Sequence, residues 1–271
     1  ATGAVEATLT GHTGYGYALC SLTDGTNRLL SGVGAGDIAV RLHDLDAAHG
    51  GASVAATREY RGHHLTINAI VELSGGRFAS GGADKTVRIW ALESGACLAT
   101  LSGHKSYVLA LAVADDDTLV SGSADSTLRV WDTRTYAAIA TIETPSEVLA
   151  LLRLTDGTVA SGHNDGAVRL WDWRRRKVVG ELRGHSEAVR GLAQLPDGRL
   201  ASVSADDTVR VWDVAARACV GVATPPSEPK CCCVTSFGEL AVGCHDGSML
   251  MLGFSWERRV AAVVAWVAAR S

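Results

Sequence analysis

Short stretches in which apolar and other residues alternate, such as Val87-Arg88-Ile89 and Leu128-Arg129-Val130, recur along the chain, broken by Gly, Asp and Ser. A period of two sends successive side chains to opposite faces, so these stretches predict strands of about 5 residues joined by tight turns. Between residues 148 and 182 the pattern predicts four strands: Val148 to Leu154, Thr158 to Gly162, Ala167 to Asp172 and Lys177 to Leu182. No strong amphipathic helix is predicted before the last dozen residues, where Val260, Val263, Val264 and Val267 fall at helical spacing.

The strand pattern itself repeats. Trp90, Trp131, Trp171 and Trp212 are separated by 41, 40 and 41 residues, and each closes a phrase of one shape, as in Asp84-Lys-Thr-Val-Arg-Ile-Trp90 and Asp125-Ser-Thr-Leu-Arg-Val-Trp131. The frame extends forward to Leu252 and backward to His43, which makes six units. A period of this length is the signature of a repeat array, in which one supersecondary unit is copied along the chain.

Composition narrows the class. With 47% hydrophobic and 20% charged residues among 271, the chain is too apolar for disorder. Its longest strictly apolar run, Val260 to Ala269, is well short of the ~18 residues of a membrane span, so a soluble globular protein is expected. A formal charge of -4 gives no electrostatic reason to expect nucleic acid as a partner. Seven cysteines, an odd number without paired CxxC spacing, read as reduced thiols rather than a zinc site. The first residues lack the basic segment and apolar core of a signal peptide, and they lack a starting Met, as in a processed chain or one cut from a longer protein. The expected address is intracellular, cytoplasmic before nuclear or ciliary.

Counting back from each Trp exposes a fixed constellation: His63, Ser80, Asp84 and Trp90; His104, Ser121, Asp125 and Trp131; His185, Ser202, Asp206 and Trp212. Ser, His and Asp together suggest nucleophilic hydrolysis. An active site needs one special set, however, and here three equivalent sets recur, which favours a structural role and no catalytic residue. The fourth unit has Thr144-Pro145 where the others have Gly-His, and keeps Ser161, Asp165 and Trp171. The sixth has Pro225, Val242 and Leu252 at the His, Ser and Trp stations; the first has His12, Asp37 and His43, with Ser31 displaced by two residues.

A Gly-His pair stands 27 or 28 positions before the Trp in three units, at Gly62-His63, Gly103-His104 and Gly184-His185, and Trp-Asp closes three, at Trp131-Asp132, Trp171-Asp172 and Trp212-Asp213. On these residues the chain resembles the WD-repeat β-propeller family over nearly its whole length. The resemblance implies an all-β fold, with four-stranded antiparallel blades in a ring around a central channel, six blades or an incomplete seven, as a single domain over residues 1–271. It implies that the His, Ser, Asp and Trp form a hydrogen-bonded network within each blade. It further implies that the N-terminal segment completes the last blade, with Val5, Ala7 and Leu9 beside Met249 and Met251, which leaves the C-terminal stretch to pack as a short helix.

Function in such a fold sits on exposed loops held by a rigid scaffold, so the fold alone names no activity. The resemblance places a partner-binding face at the residues that open the first strand of each blade and at those just before the turn Asp. Here these are Tyr15 and Tyr17, Thr66 and Asn68, Tyr107 and Leu109, Glu147 and Leu149, Ala188 and Arg190, Glu228 and Lys230, with Asn164 and His245 from the turns. Tyr and Arg are common binding anchors, and Leu109 and Leu149 are expected to add exposed apolar area. The expected function is a non-catalytic scaffold that binds a peptide or protein segment within a multi-subunit assembly, with no cofactor, metal, nucleic acid or small-molecule substrate. The alternatives are the substrate receptor of a ubiquitin ligase, a phosphoinositide-binding propeller and, last, a hydrolase.

The remaining conspicuous residues have plainer readings. Cys231 and Cys233 share one face of a strand with Cys232 opposite, which suits packing. Arg174-Arg175-Arg176-Lys177 reads as a solvated turn, and Ala47 to Ala56 as a lengthened surface loop.

Overall fold

Strand alternation and turn chemistry build the same sheet six times over. The computed structural model describes residues 7–13, 15–34, 38–47, 52–253 and 263–266. The chain divides into two compact units, Ala1–Ile142 and Glu143–Ser271.

In the first unit, β1 (Ala7–Leu9) stands outside the blades. Blade 1 is β2 (Tyr15–Ser21), β3 (Arg28–Gly34), β4 (Ala39–Asp44) and β6 (Arg58–Arg61); one 3-10 turn, Leu45–Ala47, and β5 (Ala52–Val54) lie between its third and fourth strands. Blade 2 is β7 (Ile67–Leu73), β8 (Arg77–Gly82), β9 (Val87–Ala91) and β10 (Cys97–Leu101), and blade 3 is β11 (Val108–Asp115), β12 (Thr118–Ser123), β13 (Thr127–Asp132) and β14 (Ala138–Glu143). In the second unit, blade 4 is β15 (Val148–Arg153), β16 (Val159–His163), β17 (Val168–Asp172) and β18 (Lys177–Leu182), within a residue of the pattern-based limits at each strand end. Blade 5 is β19 (Val189–Gln194), β20 (Leu200–Ser204), β21 (Val209–Asp213) and β22 (Ala218–Ala223), and blade 6 is β23 (Pro229–Val234), β24 (Leu240–Cys244), β25 (Met249–Leu252) and β26 (Val263–Trp266). The fold is an all-β propeller of six four-stranded antiparallel blades, with no α-helix among the described residues.

Burial follows strand order. The second strands β8, β12, β16 and β20 are buried almost throughout, whereas the outer strands β10, β14, β18 and β22 are mostly exposed. A strand covered on both faces must be apolar or small at every position, which Phe78-Ala79-Ser80-Gly81 illustrates. The glycine after the repeated Ser has a steric reason. A Cβ at Gly81 would lie 2.7 Å from Val108 Cγ1, and one at Gly162 2.7 Å from Val189 Cγ1, so the bare backbone admits the β-branched residue that opens the next blade. After each repeated Asp the chain turns through a left-handed residue: Lys85, Ser126 and Asp207 have φ of 68°, 58° and 62°.

The chain ends differ from the expected arrangement. β26 pairs antiparallel with β25, Met249 opposite Trp266 and Leu252 opposite Val263, so a C-terminal strand completes blade 6 and these four residues form no helix. β1 instead pairs in parallel with β5, Ala7 opposite Ala52 and Leu9 opposite Val54, so the lengthened loop contains a strand of its own. A neighbouring strand closes a short antiparallel connection at small entropic cost, and β-branched Val263 and Val264 suit a pleated edge, which outweighs the helical spacing of the valines. Val5, Val260 and Val267 lie outside the described residues.

Candidate functional site

In blades 2, 3 and 5 the repeated polar residues meet in one chain of hydrogen bonds. Trp90 Nε1 donates to Ser80 Oγ at 2.8 Å, Ser80 Oγ lies 2.7 Å from His63 Nε2, and His63 Nδ1 lies 2.8 Å from Asp84 Oδ2. The same distances are 2.8, 2.7 and 2.9 Å through Trp131, Ser121, His104 and Asp125, and 2.8, 2.7 and 2.8 Å through Trp212, Ser202, His185 and Asp206. Burial lowers the affinity of His104 and His185 for a proton, which keeps these imidazoles neutral. In blades 3 and 5 a neutral ring fixes the direction of the chain: indole N–H to hydroxyl oxygen, hydroxyl to Nε2, and Nδ1–H to carboxylate.

The aspartate is the sink of this chain. Asp125 also accepts from Lys105 N, Thr127 N and Thr127 Oγ1, and Asp206 from Ser186 N, Thr208 N and Thr208 Oγ1. Burial is the largest single influence and pushes these carboxyls up; the hydrogen bonds from threonine, backbone and imidazole together outweigh it and hold both down to about 2. Asp84 is held below its usual value in the same way. Every Ser hydroxyl in these sets is fully buried, with its proton and a lone pair already engaged. The sets resemble a hydrolytic triad in composition, but their geometry locks strands together.

The other blades fill the stations differently. In blade 4 Trp171 Nε1 donates to Ser161 Oγ at 2.6 Å, and the imidazole comes from His163, whose Nε2 is 2.7 Å from Ser161 Oγ and whose Nδ1 donates to Ser146 O at 3.2 Å. Asp165 is a correction to the sequence grouping: its carboxylate pairs with Arg169 at 2.7 Å, and the hydrogen-bond chain of Ser161 and Trp171 does not run through it. In blade 1 Ser31 lies opposite Arg41, as Ser80 lies opposite Arg88, so its displacement in sequence vanishes in the sheet. There Ser31 Oγ contacts His12 Nε2 at 2.6 Å and His43 Nε2 at 3.0 Å, and Arg41 donates to His12 Nδ1 at 2.6 Å. Asp37 lies outside the described residues. In blade 6 Val242, Leu250 and Leu252 pack apolar surface at the corresponding place, and Asp246 caps only its own turn through Ser248 N and Oγ.

The expected face residues divide between the units. In the first, Tyr107 is 50% exposed, and Thr66, Asn68 and Leu109 are half-buried. Asn68 Nδ2 donates to Val108 O at 2.9 Å, which ties blade 2 to the residue after Tyr107. Tyr15 and Tyr17 belong to β2, with side chains outside the described set. In the second unit Asn164, Arg190 and His245 are exposed, and Glu147, Leu149, Ala188, Glu228 and Lys230 are half-buried. Glu228 joins Arg190 at 3.1 Å and Lys230 at 2.5 Å. Leu109 and Leu149 are half-buried, so they offer less apolar surface than expected. Leu65, 50% exposed, and the exposed cations Lys85 and Lys105 also stand on these loops and turns, two residues after His63, one after Asp84 and one after His104.

Cys231 and Cys233 are exposed, and Cys232 packs partly against the core of blades 5 and 6; all seven thiols are free. Residues 173–176 form a turn in which Arg174, Arg175 and Arg176 are exposed and the Arg174 guanidinium sits 4.3 Å from the ring centroid of half-buried Trp173. No group of His, Cys, Asp or Glu among the described residues is arranged to hold a metal, and no helix among them is long and apolar enough to cross a membrane.

Meandering four-stranded sheets pinned by buried Trp, Ser, His and Asp define the class as a β-propeller. Residues 55–91, 95–132 and 176–213 match the family described as WD domain, G-beta repeat, and each matched stretch ends just after the Trp of a complete network. The chain thus carries three WD repeats within a six-bladed β-propeller. It is similar to the structure described as "Crystal structure of WD40 beta propeller domain of Doa1", with 26% sequence identity over 92% of this chain and 81% of that one and a TM-score of 0.80. In all, 1640 chains of known structure match, so the architecture by itself selects no partner.

Proposed function

We propose that this chain is a non-catalytic interaction scaffold that binds a peptide or protein segment through the Gly-His side of its blades and works within a larger assembly. The carrying observation is how the two kinds of polar residue are used. Each complete Ser, His and Asp set is sealed inside a blade, while Tyr107 in the first unit and Arg190 in the second stand exposed beside blades that hold such a set, and Asn164 and His245 stand exposed on the turns of blades 4 and 6. Exposed Tyr and Arg on a stiff support lose little conformational freedom on binding and are common hot-spot anchors. WD-repeat propellers are typically interaction modules, which supports the same reading. Seven free thiols favour an intracellular address.

Affinity capture tests the proposal, with Tyr107→Ala and Arg190→Glu made separately. Both are expected to keep stability within about 1 kcal/mol of the parent, since neither side chain is buried, and at least one to lose captured partner. Full capture by both variants would place the interface elsewhere.

A further inference from the structure

The loops and turns at the Gly-His end of blades 2 and 3 are residues 62–66, 82–86, 103–107 and 123–127. Their only carboxylates are Asp84 and Asp125, and both are committed inside the blade to imidazole, threonine and backbone donors. Lys85 and Lys105 are exposed in the same segments, and neither ammonium has an ion-pair partner among the described residues. Lys85 is held outward on the left-handed turn residue, and Lys105 is anchored by its backbone N–H on Asp125.

Two more cations behind these segments also lack a counter-charge. In blades 1 and 4 the arginine two residues before the Trp station is neutralised from the outer strand, Arg41 by Glu59 at 2.7 Å and Arg169 by Glu181 at 3.0 Å. The equivalents in blades 2 and 3, Arg88 and Arg129, have no carboxylate partner, and each has a buried Nε without a hydrogen bond. The Arg88 and Arg129 guanidiniums lie close against Gly62 and Gly103, at the roots of the two loops. The station that holds Glu59 opposite Arg41 and Glu181 opposite Arg169 is filled in blade 2 by Thr100, opposite Arg88. Apolar surface adjoins this charge: Leu65 and Tyr107 are each 50% exposed, and the Asn68 bond to Val108 O draws their blades together.

We infer that the Gly-His end of blades 2 and 3 takes an extended acidic peptide segment, its carboxylates held by Lys85 and Lys105 and an apolar side chain seated on Leu65 and Tyr107. This rests on the interaction-face reading above and adds the chemistry of the partner. Charge complementarity selects the occupant: carboxylates meet ammonium groups without an ion-pair partner among the described residues, in a field where Lys85, Lys105, Arg88 and Arg129 outnumber the two buried aspartates Asp84 and Asp125. The wider chain is acidic, with a net charge of -4, so an acidic segment is attracted to this end against the overall sign.

The test is fluorescence anisotropy on the full chain with three labelled decapeptides: one of Asp-Glu pairs flanking Leu and Phe, its Asn-Gln analogue and its Lys analogue. The acidic peptide is expected to bind about tenfold more tightly than the Asn-Gln analogue in low salt, with the preference fading at about 0.5 M NaCl. Lys85→Asn with Lys105→Glu should abolish the preference while the melting midpoint holds, and Lys105→Arg should preserve it. Equal binding of acidic and neutral peptides, or an unchanged preference in the double variant, overturns the inference. So does sedimentation with phosphatidylserine vesicles that the same variant loses, when no peptide preference is seen. Loss of captured partner in Tyr107→Ala alongside equal peptide binding would sink the charge assignment alone; the interaction-face reading fails only if the capture variants retain their partner.

Discussion

His163 reaches Ser161 from two residues further along the same strand, with Nε2 and Oγ 2.7 Å apart, whereas His63, His104 and His185 reach their serines from loops 17 residues earlier. Residues two apart on a strand share a face, so β16 supplies both members of the pair itself. Blade 4 thereby dispenses with a Gly-His loop and retains the Trp171 anchor.

That substitution predicts a pH dependence. Burial first, and then the nearby Arg169 cation, push His163 down to about 4 from 6.5. Its folded-state pKa lies below the unfolded one, so its contribution is full above pH 6.5 and is lost as pH falls from 6.5 to 4, by up to roughly 3 kcal/mol. His163→Leu should be less stable than the parent at pH 7 by about 1 to 3 kcal/mol and lose less on acidification. Urea unfolding at a series of pH values checks both slopes.

Asp125→Ala removes the acceptor of His104, Thr127 and the Lys105 amide, and should cost about 2 to 4 kcal/mol. Asp246→Ala should cost clearly less, because that carboxylate serves only Ser248. Equal shifts in melting midpoint would show that the imidazole network contributes nothing to the difference.

Gly81→Ala brings a methyl within 2.7 Å of Val108 Cγ1 and should destabilise by about 1 to 3 kcal/mol. Combining it with Val108→Ala should cost less than the two changes added, as expected for residues in contact. A strictly additive double-mutant cycle would mean the blades separate there without strain.

Removal of residues 254–271 takes away β26 and uncovers the edge of β25, whose Leu250 and Leu252 are buried. Removal of residues 1–10 takes away, among the described residues, β1, paired with the three-residue β5. The C-terminal deletion should lower stability by about 2 to 4 kcal/mol and the N-terminal one by less. Thermal melts of the two truncated chains decide the order.

What was legible in the sequence follows from how each feature is encoded. Trp90, Trp131, Trp171 and Trp212, with the turn aspartates, recur at fixed spacing because each strand and turn has a set length, so the blades and three complete networks could be read directly. Ser31 could not, because its spacing to His43 differs while its pairing with Arg41 is preserved. His163 was invisible because its imidazole comes from β16 itself, two residues after Ser161, and not from the Gly-His loop station. The pairing of β26 with β25 was misread because a row of valines fits helix and strand alike, and only the neighbouring strand decides between them.

In the first unit the antiparallel meander sets Lys85, Lys105, Arg88 and Arg129 with the two buried carboxylates Asp84 and Asp125 toward one end of the strands, and the turns carrying Asp44, Asp46, Glu93 and Asp115-Asp116-Asp117 at the other. Arg28, Arg77 and Arg134 only partly offset those carboxylates. The unit therefore carries an electric dipole along its strands, and an anionic molecule diffusing nearby experiences a torque as well as an attraction. Orientation begins before contact, so ionic strength acts on the rate of encounter first and on the lifetime of the complex second.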